Sequence, residues 1–232
     1  MKYTDTLVII PARGGSKGIP HKNIKPLNGK PLIYYTLDVA RALVDDENIC
    51  VSTDDPSTIS CVESYGIPVP FVRPAELATD KAGTYEVLLH ALSFYEKKGR
   101  RFDKVLLLQN TSPFRTVEHT RGALELYSSD VDMVVSVKEV ASNPYYNCFE
   151  ENEEGFLYIS KGSGQLTRRQ DAPKAYEYNG AIYVINPASL KKMTLGQFTK
   201  RKKYLMDDLH SVDLDNMIDW KLAEVIISEG LV

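Results

Sequence analysis

"LVIIPARGGSKGIPHKN" occupies residues 7–23. An apolar run, Leu7–Ile10, stops at Pro11, and a loop carrying Gly14, Gly15 and Gly18 follows. A buried strand that breaks directly into a glycine-rich turn is the opening of an α/β unit. From Arg13 to Lys30 there are five basic residues (Arg13, Lys17, Lys22, Lys25, Lys30) and no acidic one. Glycines let the backbone approach a ligand closely and adopt positive φ. Successive N–H groups in such a loop can form an anion nest. The loop therefore reads as a phosphate cradle, although it has neither the G-x-G-x-x-G nor the G-x-x-x-x-G-K-[ST] spelling.

Downstream, the same alternation continues. Strands are expected at 48–55, 69–72, 104–109 and 133–140. Helices are expected at 31–45, 56–67, 84–99 and 117–129. The strands are continuous apolar runs, which calls for a mostly parallel sheet covered by helices on both faces. Ligands of such sheets bind at the carboxyl ends of strands. The loops after Ile10, Val51, Val72 and Leu108 become the candidate site.

The pattern then changes. Residues 141–178 are polar and aromatic and read as an inserted, hairpin-like arm. Strand returns at 181–186, opened by a tight turn at Asn179 and Gly180. Residues 191–204 read as a basic, loop-rich stretch. A short strand at 211–215 and a closing helix at 216–230 follow. One domain over 1–232, with the 141–178 arm inside it, is the reading.

The chain has 232 residues and a formal net charge of −3. A general polyanion binder would be basic, so nucleic acid is not expected as a partner. Cys50, Cys61 and Cys148 form no C-x-x-C pair, and reduced thiols are expected. No run approaches a membrane span, and the first residues lack a signal-peptide core. A soluble cytoplasmic protein with no membrane partner is expected. His21, His90, His119 and His210 are scattered, with no metal-ligand spacing among them.

These residues resemble a known family. "IIPARGGSKGIPHKNIKPLNGKPLI" is similar to the signature of the CMP-sialic acid synthetases, or acylneuraminate cytidylyltransferases. "VSTDD", "RPAELATD", "LLLQNTSPFR", "RRQDAP", "NGAIY" and "SVDLD" follow in family order, so the resemblance spans about residues 7–220. It implies a Rossmann-like nucleotidyltransferase fold with a protruding dimerisation arm. It also implies transfer of CMP from CTP to the anomeric hydroxyl of N-acylneuraminate or a close nonulosonate, releasing pyrophosphate. Mg²⁺ or Mn²⁺ would be the cofactor, and the protein would be a homodimer in which the arm completes the partner's site.

The resemblance also assigns roles. Arg13, Lys17 and Lys22 would grip the triphosphate, helped by Gly15 and Ser16, with Asn23 near the nucleoside. Arg73 would read cytosine, since a guanidinium can donate to O2 and N3 in one plane. Ala82, through its backbone, and Thr84 would complete base recognition. Asp213 and Asp215 sit at i and i+2, which places both carboxylates on one face of an extended segment. In the family this pair holds the metal, and Mg²⁺ suits one or two carboxylates plus phosphate oxygens. Gln109, Tyr146 and Arg169 would face the sugar, Arg169 across the dimer. The catalytic set is thus Arg13, Lys22, Asp213 and Asp215.

Two departures from the family pattern stand out. Asn110 replaces the proline of the usual Q-P-T-S-P turn, which makes that turn less rigid. Glu177 occupies a place where relatives carry a cation, and a glutamate would repel a sugar carboxylate. Glu177 therefore points away or the sugar differs, so legionaminate, KDN and pseudaminate remain alternatives. A non-catalytic nucleotide-binding module is a further alternative, and it predicts loss of the phosphate cations or the acidic pair.

Overall fold

The computed structural model describes residues 2–15, 18–79 and 82–232. β1 (Thr6–Pro11) carries the apolar run of the opening motif, and it lies inside the sheet between β4 (Ile49–Ser52) and β5 (Lys104–Leu108), parallel to both. β2 (Pro26–Leu27) and β3 (Lys30–Pro31) form a separate small hairpin. The six-stranded sheet has the order β10-β6-β9-β5-β1-β4. β6 spans Met133–Glu139, β9 Tyr176–Ile185 and β10 Arg201–Leu205. β9 alone is antiparallel to its two neighbours; β10 runs parallel to β6. The architecture is the expected α/β one, a mostly parallel sheet between helices.

Burial alternation within the strands assigns the two faces. Val8, Ile10 and Leu106 pack with α1 (Leu32–Leu43), α2 (Pro56–Ser64) and α4 (Val117–Glu125). Leu7, Ile9 and Leu107 pack with α3 (Thr84–Lys97) and the single-turn α5 (Pro187–Leu190). Cys50 is buried on that second face, and burial pushes its thiol up to about 12. A third core joins α6 (Met217–Ser228) to the opening loop: Trp220, Ala223 and Leu214 meet Ile19, Leu27 and Leu32. This contact folds the end of the chain onto its beginning.

Local chemistry sets the helix starts. Pro56 opens α2, and Asp55 accepts the Ser57 and Thr58 N–H groups. Thr116 and His119 form a reciprocal capping box at α4, and Asn216 and Asp219 do so at α6.

Four expectations about elements are corrected. Residues 69–72 form no strand; Val72 makes a single parallel bridge to Thr53, because the two prolines at 68 and 70 remove ladder donors. Residues 211–215 form no strand: Ser211 lies in a turn and Asp215 in a bend, with Leu214 turned into the third core. Part of the basic stretch at 191–204 is edge strand β10, whose exposed lysines suit an edge. Asn179 and Gly180 do not open a strand; they lie inside β9 as a bulge, where Val135 pairs Tyr183 but Val137 pairs Tyr178.

After β6 the chain leaves the sheet and returns in β9. Between them, β7 (Phe149–Glu151) and β8 (Leu157–Ile159) form a two-stranded hairpin. Phe149, Phe156, Leu157 and Tyr158 are all exposed on it.

Candidate functional site

The carboxyl ends of β1 and β5 meet where strand order reverses, the place where such sheets bind ligands. A cavity of about 280 Å³ opens there, lined by Arg13, Gly18, Lys22, Asn23, Gln109 and Asp215, among others. A second cleft of about 290 Å³ adjoins it, lined by Thr84, Gln109, Tyr178, Tyr183, Leu195 and Arg201, among others. Gln109, the residue after β5, borders both. A wider groove of about 1250 Å³, bordered by Phe102, Lys104 and Lys191, lies at the opposite, amino end of β5.

The described glycines of the opening loop act by close approach rather than by unusual backbone angles; the positive φ in this stretch, +50°, is at His21. Gly14 and Gly15 are not in the left-handed region. A Cβ on Gly18 would lie 1.9 Å from the Asp215 carbonyl oxygen, so only glycine lets the loop lie against the acidic segment. The Gly14 N–H donates to Asp54 Oδ1 at 3.0 Å, so that group staples the loop to the end of β4 rather than standing open for an anion. Ser16 and Lys17 lie outside the described residues.

Lys22 ties the two halves together. Its side chain is 11% exposed, its Nζ donates to the Leu214 carbonyl at 2.6 Å, and it lies 3.8 Å from Asp215 Oδ1. Burial lowers the Lys22 pKa, opposed by the charges of Asp215 and Asp213. Leu214 N–H donates to the Thr111 carbonyl at 2.9 Å, docking the acidic segment on the turn after Gln109.

That turn is braced by a buried polar chain. Asn110 Nδ2 donates to Asn23 Oδ1 at 3.0 Å, and Asn23 Nδ2 donates to the Arg13 carbonyl at 2.9 Å. Thr36 Oγ1 donates to Asn110 Oδ1 at 3.3 Å and accepts from Arg115. Arg115 also donates to the carbonyls of Gln109 (2.6 Å) and Ala181 (3.0 Å). Its complete burial lowers its pKa to about 9, partly offset by Asp213. Asn110 thus links the two loops, a role that a proline could not fill with its side chain.

Asp213 and Asp215 differ. Asp215 is 76% exposed. Asp213 is largely buried; burial raises its pKa, a hydrogen bond with Thr111 opposes this, and the charge of Asp215 reinforces it. Asp213 Oδ1 is buried without a hydrogen-bond partner among the described residues. The β9 bulge shapes this corner: Gly180 has φ +76°, and a Cβ there would lie 3.3 Å from Asp213 Oδ2. Asn179 donates to Ser211 Oγ at 2.9 Å and accepts from Ser136 Oγ at 2.6 Å, anchoring the approach to Asp213. A buried carboxylate oxygen with no donor, beside an exposed carboxylate, is a donor set that fits a hard divalent cation. Asp219 caps α6, accepting the Asp215 and Asn216 N–H groups.

The remaining residues are less tightly gathered. Arg73 is buried and donates to Ser52 Oγ (3.0 Å), the Ser52 carbonyl and the Leu77 carbonyl (3.5 Å); burial lowers its pKa. The Ala82 N–H already donates to Thr79, leaving the carbonyl for recognition. Thr84 is exposed and borders the second cleft. Tyr146 and Arg169 border neither cavity. Tyr146 N–H donates within the arm to the Asn143 carbonyl, and Arg169 is exposed and donates to the Val140 carbonyl at 3.1 Å.

Several site residues escaped the sequence reading. Tyr183 is hydrogen-bonded to Gln109, burial raises its pKa, and its ring meets Tyr178 edge-on at 6.1 Å. Alternation within "YEYNGAIY" would place Tyr178 and Tyr183 on opposite faces, and the bulge brings them together, so the pair had no sequence signal. Asp54 lies within "VSTDD" and Arg201 within the basic 191–204 stretch, but neither stretch singles out that residue. Glu177 pairs with Lys138 at 3.3 Å, directly opposite it in register, so its charge is matched within the sheet.

Comparison with known proteins agrees with this geometry. A family model for cytidylyltransferases matches residues 7–228. An N-acylneuraminate cytidylyltransferase of Streptococcus agalactiae serotype V is 38% identical over 92% of this chain, which spans 51% of that protein's length. A CMP-N,N'-diacetyllegionaminic acid synthase of Legionella pneumophila is 34% identical over 95% of both chains. A CMP:2-keto-3-deoxy-manno-octonic acid synthetase solved with CTP superposes with a TM-score of 0.70, covering 98% of this chain and 100% of its own, at 16% identity, which speaks to the fold. A glycine-containing loop lies against an acidic segment at the switch point of this sheet, and the family model over nearly the whole chain carries the conclusion: this chain belongs to the cytidylyltransferase family.

Proposed function

We propose that this protein transfers CMP from CTP to the anomeric hydroxyl of a nine-carbon 2-keto sugar acid, N-acylneuraminate or a close nonulosonate, with release of pyrophosphate. The observation that carries this is the position of Gln109, which borders a cavity with cations and a carboxylate on one side and a tyrosine-lined cleft on the other. Two reactants that must meet at one phosphorus need two such spaces with a shared edge.

Arg13 and Lys22 stabilise the charge that builds on the departing pyrophosphate. Lys22, fixed on the Leu214 carbonyl, supplies that charge from a set position. Arg73, held by Ser52, reads the cytosine from the end of β4. Gln109, Tyr183 and Tyr178 orient the sugar. Asp213 and Asp215 are the residues that would hold Mg²⁺ or Mn²⁺. Such an ion, when bound, neutralises phosphate charge and orients the α-phosphate for in-line attack.

The exposed apolar hairpin supports a homodimer in which the arm covers a second copy, carrying Arg169 and Tyr146 toward its sugar cleft. The Lys138–Glu177 pair removes the charge objection to a carboxylate-bearing sugar. Pyrophosphate release with CTP and Mg²⁺, measured against a panel of N-acetylneuraminate, KDN, legionaminate and pseudaminate, tests the reading. No turnover with any of them would overturn it. Turnover by Asp215→Ala equal to the unaltered protein would separately overturn the metal assignment.

A further inference from the structure

Folding brings together three residues that the sequence separates widely. His119 lies in the first turn of α4, and Asp207 and His210 lie in the turn that follows β10. One ligand atom from each can be chosen so that all lie within 4.8 Å of one another. His210 Nδ1 lies 2.9 and 2.8 Å from the two Asp207 carboxylate oxygens, and the His119 and His210 rings meet edge-on with centroids 4.7 Å apart. We infer that His119, Asp207 and His210 form a binding site for a borderline transition-metal ion of the Zn²⁺ class, separate in residues from the nucleotide cleft.

The donor set decides the class of ion. Two imidazoles and one carboxylate suit Zn²⁺ or its first-row neighbours and not Mg²⁺, which takes oxygen donors. Ligands of a tetrahedral zinc lie about 3.4 Å apart. Asp207 and His210 are in direct hydrogen-bond contact at 2.8–2.9 Å, so the pair opens by about half an ångström and gives up that bond to admit the ion. The wider separation to His119 closes by movement of the exposed Asp207 side chain and the turn that carries it. The site stays open on its solvent side, where water supplies the fourth ligand.

His119 arrives with one competing bond. Its Nδ1 accepts the Thr116 N–H at 3.2 Å as half of the capping box. Ligation through either ring nitrogen ends that acceptance, since the neutral ring has one lone pair to give. What is lost is a single long neutral hydrogen bond, far weaker than a metal–imidazole bond. The other half of the box, His119 N–H to Thr116 Oγ1 at 3.1 Å, is untouched.

The test is calorimetric titration of the full chain with Zn²⁺, after chelator treatment and removal of the chelator. Four proteins are compared: unaltered, His119→Gln, His210→Ala, and the Asp213→Asn/Asp215→Asn double variant. His119→Gln keeps a capping-box residue at its position while deleting the imidazole, so it leaves α4 capped. One Zn²⁺ per chain is expected for the unaltered protein, weakened by about thirtyfold or more in each histidine variant and within about twofold in the double variant. Co²⁺ should give tetrahedral ligand-field bands that disappear in His119→Gln. The proposal is overturned if the folded, unaltered protein takes up no Zn²⁺. It is equally overturned if both histidine variants bind as tightly as it does, or if uptake is lost with the acidic pair instead.

Discussion

The cleft and the arm are built in opposite ways. Around the cleft, polar groups are buried and most find partners within the chain: Arg115, Thr36, Asn110 and Asn23 pass hydrogen bonds from α1 and the β9 bulge to the Arg13 carbonyl, while Asp213 Oδ1, Ser112 Oγ and Arg115 Nε have none among the described residues. On the arm, apolar groups are exposed: Phe156 is 67% and Leu157 68% accessible. A region that satisfies its own polar groups is preorganised for a small ligand. A region that leaves large apolar side chains outside is completed by another surface. Breaking each should therefore have a different signature.

The largest effect is expected in the cleft. Asp213→Asn keeps the shape and removes the buried charge beside Gly180. With CTP and a nonulosonate, kcat/KM should fall by about 10³-fold or more, as for loss of a charge acting at a phosphoryl centre, while the melting temperature holds or rises because a buried carboxylate is gone. A full-activity Asp213→Asn would remove the acidic pair from the chemistry. Next comes Arg115→Ala, which strips donors from two carbonyls and from Thr36. Urea unfolding should show a loss of about 3 kcal/mol, within the range for breaking a buried charged hydrogen-bond network. A loss under about 1 kcal/mol would show that the network is not a unit.

The arm should respond in assembly instead. Phe156→Ser with Leu157→Ser removes exposed apolar surface and should leave secondary structure unchanged while shifting the sedimentation equilibrium from dimer toward monomer, with affinity weakened by about tenfold or more. Activity should fall with protein dilution in this variant. A sedimentation profile identical to that of the unaltered chain would place the interface elsewhere.

How much of this was legible in the sequence follows the same division. β1, β4, β5 and β6 are continuous apolar runs, so the sheet and its covering helices could be read directly. β10 could not, because "RKKYL" is an edge strand and edges are spelled in charges. Residues 69–72 looked apolar, but two prolines deny them a ladder. Asp213 and Asp215 could be named through the family resemblance, since an i, i+2 pair of aspartates is too common to mark a metal site by itself. Their fixing partner, Lys22 on the Leu214 carbonyl, could not, because that bond joins positions 192 residues apart. The same applies to His119 and His210, scattered along the chain and adjacent in space. Strict alternation puts Tyr178 and Tyr183, five residues apart, on opposite faces, and only the bulge at Asn179–Gly180 brings them to one side, so the sequence hid the pair.

Asn110 shows where reading from the sequence alone understates a residue. In place of a proline it suggests a looser turn, yet its amide is buried and bridges Thr36 to Asn23. Asn110→Ala should therefore raise the KM for CTP by about tenfold, the cost of one or two neutral hydrogen bonds, with the KM for the sugar changed less than twofold. An equal change in both constants would mean that the bridge supports Gln109 rather than the Arg13 loop.

The smallest effect is expected where the arm joins the sheet. Lys138 and Glu177 face each other on β6 and β9, both partly exposed, so the pair itself should add less than about 0.5 kcal/mol to stability. Under the proposed function, its value lies in charge matching near the sugar carboxylate. Glu177→Gln should leave both KM values within about twofold. Lys138→Gln leaves Glu177 unmatched, and the KM for the sugar should rise about three- to fivefold, a Coulomb effect of the size expected across partly solvated charges. The Lys138→Gln/Glu177→Gln double variant should return close to the starting value. That return is the decisive measurement, because a lysine contacting the sugar directly would leave the double variant as impaired as Lys138→Gln alone, whereas a lysine that acts by neutralising Glu177 becomes dispensable once the glutamate is gone.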